Sequence, residues 1–258
     1  RSYSVTGVQT CALPICICLI LAAGQGTRMK SDLAKVLHPL CGKPLVEHVV
    51  RSAQMAGVAR TVVIVGHQAA KVRESLKGLD VEFVLQAEQK GTGHAVMQAL
   101  PIINNFAGEL LVLYGDVPLI KPQTIVSLLK KHREDRNACT MLTTVIEQPG
   151  SYGRIIRDQN GAVSKIVEAK DATPEELAIK EINPAIYSFE NQRLVEALSQ
   201  LQPNNKQGEY YLTDVIGIFK SQGRRIAAQI VEDSREVLGI NTPEELSECE
   251  GYLKQLKP

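Results

Sequence analysis

Charge of one sign is missing from this sequence: 29 Lys and Arg stand against 28 Asp and Glu, a net charge of +1 over 258 residues. No field suited to the phosphate backbone of a nucleic acid polymer results, so any anion site must be local. Cysteine pairing signals are missing too. The six cysteines (Cys11, Cys16, Cys18, Cys41, Cys139, Cys249) form no C-x-x-C pair and have no histidines at zinc spacing. That pattern excludes a disulfide framework and a metal ribbon, and it fits a reducing cytoplasm. None of the five histidines (His38, His48, His67, His94, His132) stands in an H-x-x-x-H or H-E-x-x-H pattern, so each reads as a surface or packing residue. The apolar run Ile15 to Ala23 is nine residues long, too short to cross a bilayer. Only Arg1 precedes it as a cation, and cleavage near Ala23 would cut into the glycine loop that follows, which speaks against a secretory signal. Repeats, low-complexity tracts, an obvious linker and a hexapeptide period are all absent.

What remains is ordinary globular material, 44% apolar and 22% charged, enough for one large core or two modest ones. The opening "RSYSVTGVQTCALPIC" has no initiator Met and no periodicity and resembles a translated vector leader, so Arg1 to about Cys16 is expected outside the fold. From Ile17 onward, β-rich runs alternate with helical patterns, as in βαβ units feeding a parallel sheet. Strands are expected at "ICLILAA", Thr61 to Gly66, Val81 to Gln86 and Glu109 to Asp116. The first helix opens at Pro44 and stops at Gly57, with Leu45, Val46, Val49 and Val50 on one stripe. Further helices are expected at Gln68 to Leu79, Thr92 to Ile103 and Pro122 to Arg133. After Cys139 the texture becomes antiparallel: "CTMLTTVIE", "GRIIRD" and "AVSKIVEAKD" are broken by Pro149-Gly150 and by the hairpin signal Asn160-Gly161. "EINPAIYSFE" reads as one more strand, followed by helices at Asn191 to Leu201 and Glu209 to Ser221, a strand at Arg225 to Val231 and a last helix from Thr242. The expected class is α/β, a Rossmann-like, doubly wound, mixed but mostly parallel sheet with a small antiparallel sub-region at one edge.

"LILAAGQGTRMK", Leu19 to Lys30, ends the first strand in two glycines and two cations. It is not the dinucleotide fingerprint, because Met29 stands where a third glycine is needed, and no Gly-Lys-Ser/Thr makes it a P-loop. Loops after such strands receive phosphates: Gly24 and Gly26 would admit a close backbone approach, and Arg28 and Lys35 would neutralise the anion. A plain glycine turn with solvated cations is the alternative.

Other segments bear on that choice. "LILAAGQGTRM" with "KVLHPLCGKPL" resembles the signature of sugar-nucleotide pyrophosphorylases, and "KVLH" with "GKP" is similar to their bacterial N-acetylglucosamine-1-phosphate uridyltransferase branch. "VLQAEQKGTGHAV", "LVLYGDVPLI", "SYGRIIR", "IVEAKDAT", "KEINPAIY", "GEYYLTDVI" and "VLGINT" follow in the same order, carrying the resemblance from Ile17 to the C-terminus. It implies the nucleotidyltransferase half of a bifunctional enzyme whose other half, a left-handed β-helix acetyltransferase, has no counterpart in this sequence. The sequence leaves the oligomeric state open.

Carried over residue by residue, the resemblance implies that Leu21, Ala22, Ala23 and Gly24 line the uridine side. Arg28 and Lys35 would be catalytic and meet the phosphates, while Gln86, Gly91 and Thr92 would read uracil. A glutamine amide suits that task because it offers a donor and an acceptor together; a surface residue at a strand end is the alternative. Asp116 and Asn241 are the implied Mg²⁺ ligands, and two protein oxygens suffice for that ion. An Asp turn cap and an Asn helix N-cap before "TPEEL" are the competing readings. Gly153, Glu168, Asn183 and Asn241 are the implied sugar side. Two departures stand out: "EINPA" where the family commonly reads "EINTG", which puts the backbone beside Asn183 in question, and Ala34 in place of the usual proline. The implied reaction joins UTP and N-acetylglucosamine-1-phosphate into UDP-N-acetylglucosamine. A pyrophosphorylase for another sugar phosphate or for dTTP, and a non-catalytic sugar-nucleotide sensor, are the competing functions.

Overall fold

The computed structural model describes residues 15–255; residues 1–14, which hold Cys11 and nearly all of the expected leader, lie outside the described residues, as do 256–258. The chain enters the fold on β1 (Cys16–Ala22), one residue before the expected start. A short hairpin follows, β2 (Pro39–Leu40) with β3 (Lys43–Pro44), and then α1 (Leu45–Met55), which buries Leu45, Val46, Val49 and Val50 as the stripe predicts. The alternation continues through β4 (Arg60–Val65), α2 (Ala69–Ser75), β5 (Glu82–Leu85), α3 (Thr92–Met97), α4 (Leu100–Ile103), β6 (Glu109–Tyr114) and α5 (Pro122–Glu134). The expected helix over Thr92 to Ile103 is thus two short helices: Pro101 cannot donate into the preceding turn, and the chain restarts at Leu100.

The second half holds β7 (Cys139–Val145), β8 (Gly153–Arg157), β9 (Val163–Val167), α6 (Pro174–Leu177), β10 (Glu181–Asn183), β11 (Tyr187–Glu190), α7 (Asn191–Leu198), α8 (Asp214–Ser221), β12 (Ile226–Ile230) and α9 (Pro243–Gln255). One sheet runs β5-β4-β1-β6-β11-β7-β10-β8-β9, with β12 also on β7. β5, β4, β1 and β6 are mutually parallel, and β12 is parallel to β7, which gives the doubly wound core expected. β10, β8 and β9 form the antiparallel arm, closed by the Asn160-Gly161 turn with Gly161 at φ 78°. "EINPAIYSFE" is two strands rather than one. Pro184 has no N–H for a ladder and Ala185 turns the chain at φ 64°, so β10 stays in the arm while β11 returns antiparallel between β6 and β7. The expected helix from Glu209 begins only at Asp214, because residues 209–212 lie along the loop before α3: Tyr210 N–H donates to Lys90 O (2.8 Å) and Gly93 N–H to Tyr210 O (2.8 Å).

β1 is buried on both faces, as a central parallel strand must be. Ile17, Leu19 and Leu21 join the core on one side of the sheet, and Cys16, Cys18, Ile20 and Ala22 the core on the other. Among the described residues no helix is long and apolar enough to cross a membrane.

His132 is a packing residue, as expected. It is 4% exposed on the inner face of α5, with Nδ1 3.0 Å from Thr140 Oγ1, which also accepts from Asn137 Nδ2 at 3.0 Å. Burial, reinforced by Arg133, lowers its pKa from 6.5 to about 4. The unfolded chain therefore binds this proton first: the stabilisation from keeping the ring neutral is complete above pH ~6.5 and is lost as pH falls toward ~4, about 3 kcal/mol in all. Melting followed between pH 7 and 4.5 should show this loss, and His132→Gln should flatten the acid arm; an unchanged slope would remove His132 from it.

Candidate active site

The site lies at the carboxyl ends of β1 and β6, where the strands stop and their loops begin. Gly26 stands at φ 71°, and a Cβ there would collide with the stem of Lys35, so this glycine serves the cation rather than a ligand. A Cβ on Gly24 would meet nothing within 4 Å, which leaves its backbone open to the cleft. Single turns of 3₁₀ helix at Thr27–Met29 and Lys35–Leu37 then present Arg28 and Lys35.

Four residues far apart in sequence converge there. Lys35 Nζ pairs with the Asp116 carboxylate and donates to Asn241 Oδ1 at 2.9 Å. Arg28 donates from Nη2 to the same Oδ1 (2.9 Å) and from Nη1 to Ser151 Oγ (2.8 Å). Asp116 is held from behind: Ile240 N–H donates to its carbonyl at 2.8 Å, and a Cβ on Gly239 would stand 3.3 Å from its Oδ2. The helix-cap reading of Asn241 fails, because the cap is its neighbour: Thr242 Oγ1 accepts from Glu245 N–H (3.2 Å) and Glu245 reaches back to Thr242 N–H (3.3 Å), a capping box that frees the Asn241 side chain.

Two adjoining cavities meet at this point. One, about 290 Å³, is lined by Leu21, Ala22, Ala23, Gly24, Lys35, Gln86, Gly91 and Thr92, every residue expected on the nucleotide side, together with Gln89. The other, about 240 Å³, takes in Gly153, Glu168, Asn183 and Asn241, the expected sugar side, together with Arg28. Asp116, Thr92, Tyr114 and Glu209 border both. Sequence reasoning did not single out Tyr114, Tyr152, Glu209, Tyr211 or Thr213. Tyr114 ends an apolar strand and looks like core, and the others sit inside "SYGRIIR" and "GEYYLTDVI", where the motif as a whole was the only signal.

In the smaller cavity, burial pushes the Glu168 carboxyl above the usual carboxylate range. Asp214, Asp171 and Glu209 add to this and a bond from Thr213 Oγ1 (3.1 Å) opposes it. Burial likewise raises the phenols of Tyr114 and Tyr152, which stay neutral. Asn183 is 5% exposed; its Oδ1 accepts from Tyr187 Oη (2.9 Å) and from Ala185 N–H (3.0 Å). Ala185 itself takes the left-handed backbone, which costs an L residue about 1–2 kcal/mol and which the glycine of "EINTG" would adopt freely. Asn183 lines the cavity with Pro184 and Ala185 beside it.

In the larger cavity the surface-residue reading of Gln86 fails. Gln86 is 3% exposed and spends its amide donors inside the protein, on Gly91 O (3.1 Å) and His94 Nδ1 (3.0 Å), so only Oε1 is left for the cavity. Gly91, at φ 105° and packed on the Tyr210 backbone too closely for a Cβ, makes that carbonyl available. His94 lines neither cavity; it is half-buried and packs on Tyr210, as expected of a packing residue, with Nδ1 beside the Gln86 amide.

Among the described residues no three of His, Cys, Asp and Glu gather as a metal cluster. Asp116 and Asn241 instead aim two oxygens at one ammonium, a donor pair that fits a hard divalent cation whose other positions are filled by water and phosphate oxygens.

Residues 18–217 match the MobA-like NTP transferase domain family. The chain is similar to the bifunctional protein GlmU of Bacillus mycoides (strain KBAB4), 51% identical over 236 residues that cover 92% of this chain and 51% of that protein. It is 49% identical over 237 residues to bifunctional protein GlmU of Brevibacillus brevis (strain 47), covering 92% of this chain and 51% of that one. The chain thus spans about half the length of these curated relatives. Among solved structures, a UDP-glucose pyrophosphorylase complexed with UDP-glucose shares the fold, with a TM-score of 0.75 and 20% identity over 93% of this chain and 99% of that one.

Proposed function

Since the chain belongs to the MobA-like NTP transferase domain family, we propose that it transfers a uridylyl group from UTP to N-acetylglucosamine-1-phosphate, releasing pyrophosphate and forming UDP-N-acetylglucosamine. The observation that carries this reading is the meeting of Arg28, Lys35, Asp116 and Asn241 at the border between two cavities, one for a nucleotide and one for a sugar phosphate. The motif order from "LILAAGQGTRM" to "VLGINT" supplies the substrate pair.

A sugar-1-phosphate already carries most of its second negative charge at neutral pH, because that ionisation has a pKa of about 6. Its oxygen attacks the α-phosphorus in line without a general base, and catalysis reduces to positioning and charge neutralisation. Arg28 and Lys35 act on the charge gathering at the α-phosphoryl group and the leaving pyrophosphate. Mg²⁺, held by Asp116 and Asn241, would supply further neutralisation of the phosphate oxygens. Gly24 leaves room for the nucleotide against the loop backbone, and Glu168, Asn183 and Gly153 hold the sugar. The free thiols of Cys16, Cys18, Cys41, Cys139 and Cys249 fit a reducing cytoplasm as the site of this reaction.

Purified protein given UTP, Mg²⁺ and N-acetylglucosamine-1-phosphate should release pyrophosphate, with the rate falling when glucose-1-phosphate replaces the acceptor or dTTP the donor. Preference for another pair would reassign the substrates. Tight UTP binding with no turnover for any acceptor would make the protein a sensor instead.

A further inference from the structure

We infer that His94 is a positioning residue for nucleotide-base reading: its Nδ1 lone pair holds the Gln86 amide so that Oε1 alone faces the base, selecting a pyrimidine that carries a proton on N3. This rests on the uridylyl-transfer reading and adds to it the residue that orients the base reader.

The orientation of a glutamine amide has to be argued from its neighbours, and here they decide it. A backbone carbonyl only accepts, so the Gln86 atom 3.1 Å from Gly91 O must be the nitrogen. The same nitrogen lies 3.0 Å from His94 Nδ1, which must then be the bare nitrogen of the ring, with the proton on Nε2. On the far side of the ring, Gln98 Nε2 stands 3.2 Å from His94 Nε2 and 3.2 Å from His94 O. Two donors cannot face each other, so one of these amides must turn. Each amide nitrogen also faces a backbone carbonyl, so neither flips in place without loss; Gln98, half-buried at the end of α3, has room to swing off the ring, whereas Gln86 is enclosed and tied to Gly91.

The scaffold around the pair is fixed at both ends. Gln86 N–H donates to Val65 O (2.8 Å), which sets the strand end. The His94 ring packs on Tyr210 with centroids 6.4 Å apart, and Gly93 N–H donates to Tyr210 O, which sets α3. Between them the amide has two states, and His94 selects one. With Nδ1 removed, the amide nitrogen loses one acceptor, and the flipped state, which would turn N–H groups toward the base, gains population. An acceptor suits uracil, whose pairing edge bears N3–H, and repels cytosine, whose N3 is a lone pair. A site built around a hydrogen bond discriminates strongly against the base that cannot make it.

Steady-state kinetics on the full chain tests this with His94→Leu and His94→Asn, the latter carrying an Oδ1 that can replace Nδ1 as acceptor. His94→Leu should raise KM for UTP about tenfold and shrink the UTP-over-CTP preference by a similar factor, with kcat and the sugar-phosphate KM within about twofold. His94→Asn should restore both. Unchanged UTP KM and base preference in His94→Leu, or an equal loss in both variants, would overturn the proposal. Should the leucine variant not fold, ¹⁵N–¹H correlation on histidine-labelled wild type reads the ring directly: a proton on Nε2 is expected, and one on Nδ1 overturns the assignment. A wild type without turnover would refute the function reading instead and leave that ring measurement to decide this one.

Discussion

Asp116→Asn should lower turnover by about 10²–10³-fold, read as pyrophosphate release at saturating UTP and sugar phosphate. The substitution keeps the shape of the side chain and removes its charge. In the free protein Asp116 neutralises Lys35, and in the proposed reaction it is the carboxylate that shares the Lys35 ammonium with Asn241 Oδ1 and that a divalent cation can use. Folding should tolerate the change, because Lys35 keeps its bond to Asn241 Oδ1 and the pair is partly open to water, with side chains 17% and 14% exposed. A variant that melts normally and turns over near the wild-type rate would take Asp116 out of the chemistry.

Arg28→Ala should lower turnover by about 10²-fold with a smaller rise in KM, the pattern of a cation that acts mainly in the transition state. Its guanidinium also spans Ser151 and Asn241 with two separate N–H groups, so Arg28→Lys should recover little: an ammonium is a point charge without that fork. Near-normal turnover in the alanine variant would reject the assigned role.

Much of this was legible in the sequence because it is local. Alternating β-rich and helical runs give the parallel core, the α1 stripe is read from spacing alone, and Asn160-Gly161 announces its hairpin. Site residues taken from ordered motifs all reach the two cavities, since each sits at a strand end or in the loop that follows. What stayed hidden depends on contacts across the chain. Nothing in "EINPAIYSFE" says that its halves serve different parts of the sheet until Pro184 and Ala185 are seen to turn the backbone. Asn241 reads as a helix cap on paper, and only the reciprocal bonds between Thr242 and Glu245 move the cap one residue on. Gln86 looked like a base reader with two functions because its partner His94 lies eight residues on, across a loop whose path no spacing rule predicts.

The ion pair between Lys35 and Asp116 has a consequence for which ligands the cleft admits. A lone chloride or sulfate could claim the lysine only by stranding the aspartate. A triphosphate arriving with its own divalent counter-ion offers each member a replacement at once. The pair therefore opens at least cost to a ligand that brings both charges together.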